Sequence, residues 1–265
     1  MRNGIVSVIA AAALCYCSTA KACVLRMAAE VNFPPYLMLD GQRWHGQTVE
    51  LAQLLVTEVG CHLEVVNVPW LRALAQIKSG ELDFVSHLSY SKARIKDFAF
   101  IGPHHIESMW LIGNPAKLPK VTALKDLSET VDLGRIAELV GAYYGEEFAL
   151  LKQNPFFARQ LVSISSIQDK LALLEAGRVN AILEDDSVLR YWQTEGYKNA
   201  QNYQPLMLVY KSPVYFGFSK KTLSDTMLVK LKNAWQTIYD RGDVDKTIKK
   251  YQGKSMDGLT PTAKF

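Results

Sequence analysis

The sequence predicts an α/β protein of two similar lobes, each a mostly parallel sheet flanked by helices, with a cleft between them. Three observations carry this expectation. Strand and helix signals alternate along the chain, the pattern of a sheet whose strands are joined by crossover helices. A helix–strand phrase occurs twice, as "LAQIKSGELDFV" from Leu74 and "LALLEAGRVNAI" from Leu171, 97 positions apart. Two segments, "IESMWLIGNPAKLPK" and "YKSPVYFGFSKK", read as the chain crossing into a second lobe and returning from it.

The elements follow in order. "VLRMAA" reads as a first strand. "TVELAQLLVTEVG" is an amphipathic helix with Val49, Ala52, Leu55, Val56 and Val59 on one face and Gly60 as its stop. "LEVVNV" is a second strand, and a helix over about 70–79 turns Leu71, Leu74 and Ile77 inward before Gly80. "LDFVSHL" is the third strand. Past the crossing, "AELVGAYYGEEF" reads as strand, Gly141 turn and helix start. "SIQDKLALLEAG" is a helix with Ser166 as N-cap and Asp169 three residues later, a capping-box arrangement. "RVNAILEDD" is the matching strand, and "LVKLKNAWQTIYDRGDVDKTIKKY" supplies closing helices. Residues 253–265 read as a polar tail.

The chain has 265 residues, 49% hydrophobic and 21% charged, an ordinary globular composition long enough for two cores. Its N-terminus places Arg2 before an apolar run from Ile5 to Tyr16, then small residues, the form of a secretory signal peptide over 1–22 cleaved after Ala20-Lys21-Ala22. The run is shorter than the ~20 residues a membrane span needs. A lipid anchor on Cys23 is disfavoured because Ala20 and Lys21 fit poorly before a lipidated cysteine. Removing Arg2 and Lys21 lowers the formal charge from +4 to about +2, and no basic stripe points to nucleic acid. Cys15 and Cys17 leave with the signal. Cys23 and Cys61 each open a strand-like run, so parallel neighbours would bring them within bridging reach in an oxidising compartment. A disulfide there would contribute roughly 4 kcal/mol on the chain-entropy model. Two separate buried thiols are the alternative.

Parallel sheets place their binding crevice at the carboxyl ends of the strands. The strand of the first phrase runs into Ser86, His87, Ser89, Ser91 and Arg94, that of the second into Glu184 and Asp185. Facing each other across a cleft, these ends suit a small zwitterion. The arginine fork takes a carboxylate, with Ser89 completing its shell, and Asp185 takes an ammonium. Plainer roles stand beside these: Arg94 as a salt-bridge partner of Asp97, and Asp185 or Asp186 as a helix cap. Trp110 reads as an ordinary core or rim aromatic. His104 and His105 invite a metal, but adjacent side chains usually diverge and no third ligand is evident. No metal site, cofactor, phosphate-binding glycine fingerprint or Ser/His/Asp signature is expected.

These residues resemble the bacterial solute-binding proteins of family 3, the type II periplasmic amino-acid-binding class. "VNFPPYLMLDGQRWHGQTVELAQLL" is similar to the family's opening, "PWLRALAQIKSGELDFV" to its second helix and third strand, and "HLSYSKAR" to its "SLSITxxR". "AGRVNAILEDD" and "SPVYFGFSKK" resemble its second-lobe strand and return crossing. The chain departs from the pattern at His87, which stands for Ser or Gly, and at "GPHH", which replaces "DPYY". The resemblance implies a type II periplasmic-binding fold, with one lobe over 23–111 plus 211–252 and the other over 112–210. It also implies that Arg94 and Ser89 clamp a carboxylate, Asp185 takes the amino group and Phe33 stacks on the ligand. Glu30, Tyr36, Trp70 and His87 would line the first lobe, and Ala142 and Tyr143 would contribute from the second. The expected function is a monomeric periplasmic receptor, not an enzyme. It would close on an amino acid or related carboxylate and present it to a separate membrane permease of the ABC type or to a sensor. The alternative is a secreted enzyme like the cyclohexadienyl dehydratases, which would need a general acid such as Glu184 or His87.

Overall fold

The computed structural model describes residues 23–31, 33–130 and 133–252. The signal peptide expected over 1–22 and the tail expected over 253–265 lie outside the described residues. The first lobe opens with β1 (Val24–Ala29), a short hairpin of β2 (Met38–Asp40) and β3 (Arg43–His45), and α1 (Gln47–Glu58). Next come β4 (His62–Asn67), α2 (Trp70–Ser79), β5 (Phe84–Ser89) and the long β6 (Phe98–Gly113). The second lobe contains α3 (Asp126–Glu129), β7 (Ile136–Leu139), α4 (Glu146–Leu151), α5 (Pro155–Gln160) and β8 (Leu161–Ile164). It continues through α6 (Asp169–Glu175), β9 (Ala181–Asp185) and α7 (Asp186–Thr194). The long β10 (Gln204–Ser219) returns to α8 (Asp225–Asp240) and α9 (Asp243–Gln252).

The sheet order is β4-β1-β5-β10-β6-β9-β7-β8. Each lobe therefore owns three parallel strands in which the first is central, β4-β1-β5 in one and β8-β7-β9 in the other. The antiparallel pair β6 and β10 runs through both lobes. Both copies of the sequence phrase do the same job: β5 pairs with β10 in the first lobe, and β9 pairs with β6 in the second. The glycines that end the two preceding helices, Gly80 and Gly177, both have left-handed φ, 88° and 64°, which reverses the chain into the strand without a Cβ clash.

The parallel pairing of β1 with β4 sets Val24 opposite His62, and Cys23 and Cys61 form a disulfide just before that register begins. Helix α1 buries Val49, Ala52, Leu55 and Val56, with Val59 just past its end, as its apolar spacing requires. Two expectations need correction. In α2 the inward residues are Ala73 and Ile77, one turn apart, while Leu71 is 46% exposed and lies toward Gly141 of the other lobe. Helix α6 begins at Asp169, and Ser166 does not cap it. The Ser166 hydroxyl instead donates to Glu30 Oε1 at 2.7 Å, because that carboxylate reaches across from the end of β1. The hairpin β2–β3 and the elements α3, α5 and β8 were not anticipated.

Candidate functional site

A cavity of about 60 Å³ lies at the carboxyl ends of the parallel strands, where open parallel sheets place their ligand crevices. Glu30, Phe33, Trp70, Ser86, His87, Ser89 and Arg94 line it from the first lobe, and Glu107 and Met109 from β6. Leu139, Ala142, Tyr143, Ile167, Lys170 and Glu184 line it from the second. Of the ten expected ligand contacts, eight line this cavity: Glu30, Phe33, Trp70, His87, Ser89, Arg94, Ala142 and Tyr143. Tyr36 and Asp185 do not.

Arg94 follows the exit of β5 and is half-buried. Its Nη1 donates to the Ser89 carbonyl at 2.7 Å and its Nη2 to the Gly141 carbonyl of the other lobe at 2.8 Å. The Tyr143 ring centroid lies 5.9 Å from its Cζ. Loss of water lowers the guanidinium to about 10, against the pull of Glu107. Asp97 pairs with Lys78 at 3.5 Å, so the Arg94–Asp97 bridge does not form. Among the described residues no carboxylate comes within ion-pair distance of Arg94.

Asp185 is displaced from its expected role by one step of the pleat. Successive strand residues point to opposite faces, so Glu184 faces the cavity and Asp185 faces away. Asp185 Oδ1 caps α7 by accepting from Ser187 N at 2.8 Å and also accepts from Tyr36 Oη at 3.1 Å. Its Oδ2 accepts from Ser108 N at 3.0 Å. Full burial raises its carboxyl to about 6, with Asp186 adding to the rise and the two backbone N–H groups opposing it. Burial and Asp185 also push the Tyr36 hydroxyl up, and its ring stacks on His105 at 4.7 Å rather than entering the cavity.

Three acidic side chains do line the site. Glu30 accepts from Trp70 N, Ser166 Oγ and Ile167 N, each at 2.7 Å, and so ties the start of α2 to the other lobe. Glu184 meets Lys170 Nζ at 2.9 Å, an ion pair whose side chains are 0% and 2% exposed. Glu107 accepts from Ser89 Oγ at 2.5 Å and lies 3.6 Å from His87 Nε2. Reading the sequence missed Glu107 and Lys170. The available signals were a lone acid within the apolar run of β6 and a lysine one turn before Leu174 on the inward face of α6.

His104 and His105 do not diverge. The β6–β10 register slips between Val214 and Phe216, and Gly102 has φ 137°, a bulge that brings both rings to one side. Their Nδ1 atoms lie 2.8 Å apart, and His104 Nε2 lies 2.8 Å from the Ser86 carbonyl. A carbonyl only accepts, so His104 carries its proton on Nε2 and takes a hydrogen bond from His105 on Nδ1. Burial lowers His104 to about 3, and lowers His105 as well. Among the described residues no group of three or more His, Cys, Asp or Glu is arranged to hold a metal.

The fold has counterparts among known proteins. Residues 25–254 match the bacterial extracellular solute-binding proteins, family 3. The chain belongs to that family. The arginine-binding extracellular protein ArtP of Bacillus subtilis is 23% identical over 233 residues, covering 86% of this chain and 85% of the relative. A solved ancestral arginine-binding protein bound to arginine superposes with a TM-score of 0.75 at 19% identity, covering 87% of this chain and 98% of its own. The ancestral amino-acid-binding protein AncCDT-1, described as a precursor of cyclohexadienyl dehydratase, gives 0.68 at 17% identity, covering 86% and 94%. The family's fold is the two-lobed type II arrangement seen here, and the relatives named above are binding proteins. No helix among the described residues is long and apolar enough to cross a membrane.

Proposed function

We propose that this chain is a periplasmic receptor whose lobes, 23–111 with 211–252 and 112–210, close around a small amino acid or related carboxylate. The loaded, closed form is then read by a separate membrane permease or sensor. Closure is a population shift, driven by contacts that the ligand makes only when both lobes meet. The observation that carries this reading is Arg94. It is a half-buried guanidinium at the junction of the lobes that holds two backbone carbonyls and no carboxylate among the described residues. A ligand carboxylate would replace those contacts with stronger charge-assisted bonds. Phe33 and Trp70 supply apolar walls for the ligand body.

The cavity's charge narrows the ligand further. Glu30, Glu107 and Glu184 stand against Arg94 and Lys170, one acid more than the bases. Such a site favours a zwitterion or a cationic amino acid over a dianion, and so counts against a dehydratase acting on a dicarboxylate. The relative named for arginine makes the basic amino acids the first to try.

A thermal-shift screen of residues 23–265 against the twenty L-amino acids, small carboxylates and prephenate tests the reading. A ligand at 100 times its Kd stabilises by about 2.7 kcal/mol. The expected result is a raised Tm with one amino-acid class, lost in Arg94→Ala. A shift that survives Arg94→Ala contradicts the role of Arg94, and consumption of prephenate would favour the enzyme.

A further inference from the structure

We propose that Glu107 on β6, not Asp185, receives the ligand's ammonium group. This rests on reading the cavity as an amino-acid site. The ammonium and carboxylate of an α-amino acid sit on one carbon, so the groups that hold them must converge. Ser89 marks the point of convergence. Its carbonyl accepts from Arg94 at 2.7 Å, and its hydroxyl donates to Glu107 at 2.5 Å. The guanidinium and the Glu107 carboxyl thus touch two ends of one residue, and both line the cavity.

The other acids of the cleft already have their donors. Glu30 accepts three hydrogen bonds. Glu184 takes Lys170 Nζ and the Asp185 N–H. Asp185 accepts three and lies outside the lining. Glu107 is different. It is 2% exposed, and its single hydrogen-bond donor among the described residues is the neutral Ser89 hydroxyl. The one basic group within ion-pair reach among the described residues is His87, whose Nε2 at 3.6 Å is too far for a hydrogen bond. A carboxylate withdrawn from water with so little compensation is costly. An ammonium entering beside it supplies the missing partner. The buried ring nitrogens of His87 and the Ser86 hydroxyl, all without hydrogen-bond partners, line the same wall and offer further polar contacts.

The test compares the wild-type chain, Glu107→Gln and Asp185→Asn by titration calorimetry and by scanning calorimetry without ligand. The probes are the twenty L-amino acids and putrescine, a cation with no carboxylate. Asparagine keeps the oxygen that caps α7 but turns its NH2 toward the Ser108 N–H, so the ligand-free scan also checks that the second variant is folded. Removing one charge-assisted contact weakens binding by about ten- to a hundredfold. That loss is expected in Glu107→Gln, with a change of less than about threefold in Asp185→Asn. Ligand-free Glu107→Gln should also melt no lower than wild type, because an under-compensated buried charge is gone. The proposal is overturned if Asp185→Asn carries the loss while Glu107→Gln binds as wild type. It is equally overturned if ligand-free Glu107→Gln melts clearly lower, which makes Glu107 a structural acid. Should no amino acid bind but putrescine bind through Glu107, the amino-acid reading falls and the role of Glu107 stands. Should neither bind, both fall.

Discussion

The two strand exits, one in each lobe, begin from the same helix–strand phrase and end in opposite electrostatic conditions. After β5, Arg94 faces the cavity and among the described residues donates hydrogen bonds to two carbonyls and no carboxylate, while Glu107 beside it accepts one from the Ser89 hydroxyl. After β9, Glu184 is neutralised by Lys170 from the preceding helix, and Asp185 is turned away to cap the following one. Repetition of a structural unit therefore does not repeat its chemistry. Available charge sits in the first lobe, where a ligand can use it. The second lobe satisfies its own charges and offers a largely apolar wall of Leu139, Ala142 and Ile167.

The comparison breaks most severely at the buried pair. Lys170→Met leaves Glu184 without its cation in a site that is 0% exposed and should cost about 3–5 kcal/mol of folding stability. Adding Glu184→Leu to that variant should recover most of the loss, since a well-packed apolar pair is often as stable as a buried ion pair. Urea denaturation of the single and double variants checks this. Equal destabilisation in both would show that packing, not internal neutralisation, is what the pair supplies.

A smaller effect sharpens the contrast through pH. Asp185 has its carboxyl raised to about 6 from an ordinary 3.8, so the folded state binds its proton more readily than the unfolded chain. That term lowers stability as pH rises from about 4 to about 6, by about 2–3 kcal/mol in all. His104 runs the other way. Lowered from 6.5 to about 3, it resists protonation in the fold, and stability is lost as pH falls through that window. His105 is lowered too and adds to the same slope. The opposing terms partly cancel in the wild type. Asp185→Asn removes one of them, so its stability should fall about 2–3 kcal/mol more than wild type's between pH 7 and pH 4. Parallel stability curves for the two proteins would contradict this account of Asp185.

The sequence makes the scaffold and the first strand exit legible because both depend on short-range rules. Helix periodicity located α1, glycines located the stops of α2 and α6, and the exit of β5 announced Ser89 and Arg94. The register of two parallel strand starts brought Cys23 to Cys61. What stayed hidden depends on direction across the sheet. Glu184 and Asp185 are adjacent in sequence, and only the pleat decides which one sees the cavity. The bulge at Gly102 turns His104 and His105 to one side against the usual alternation. Lys170 and Ser166 acquire their partners from residues 14 and 136 positions away, respectively, distances that no local pattern encodes.

The most direct test of the central claim, that the usable charge lies at the first strand exit, is a crystal structure with the amino acid selected by the thermal-shift screen. The account predicts the ligand carboxylate on the Arg94 guanidinium and its ammonium on Glu107, with the Lys170–Glu184 pair intact and Asp185 still capping α7. A ligand held instead by Asp185, with Arg94 keeping its bonds to the Ser89 and Gly141 carbonyls, would contradict it.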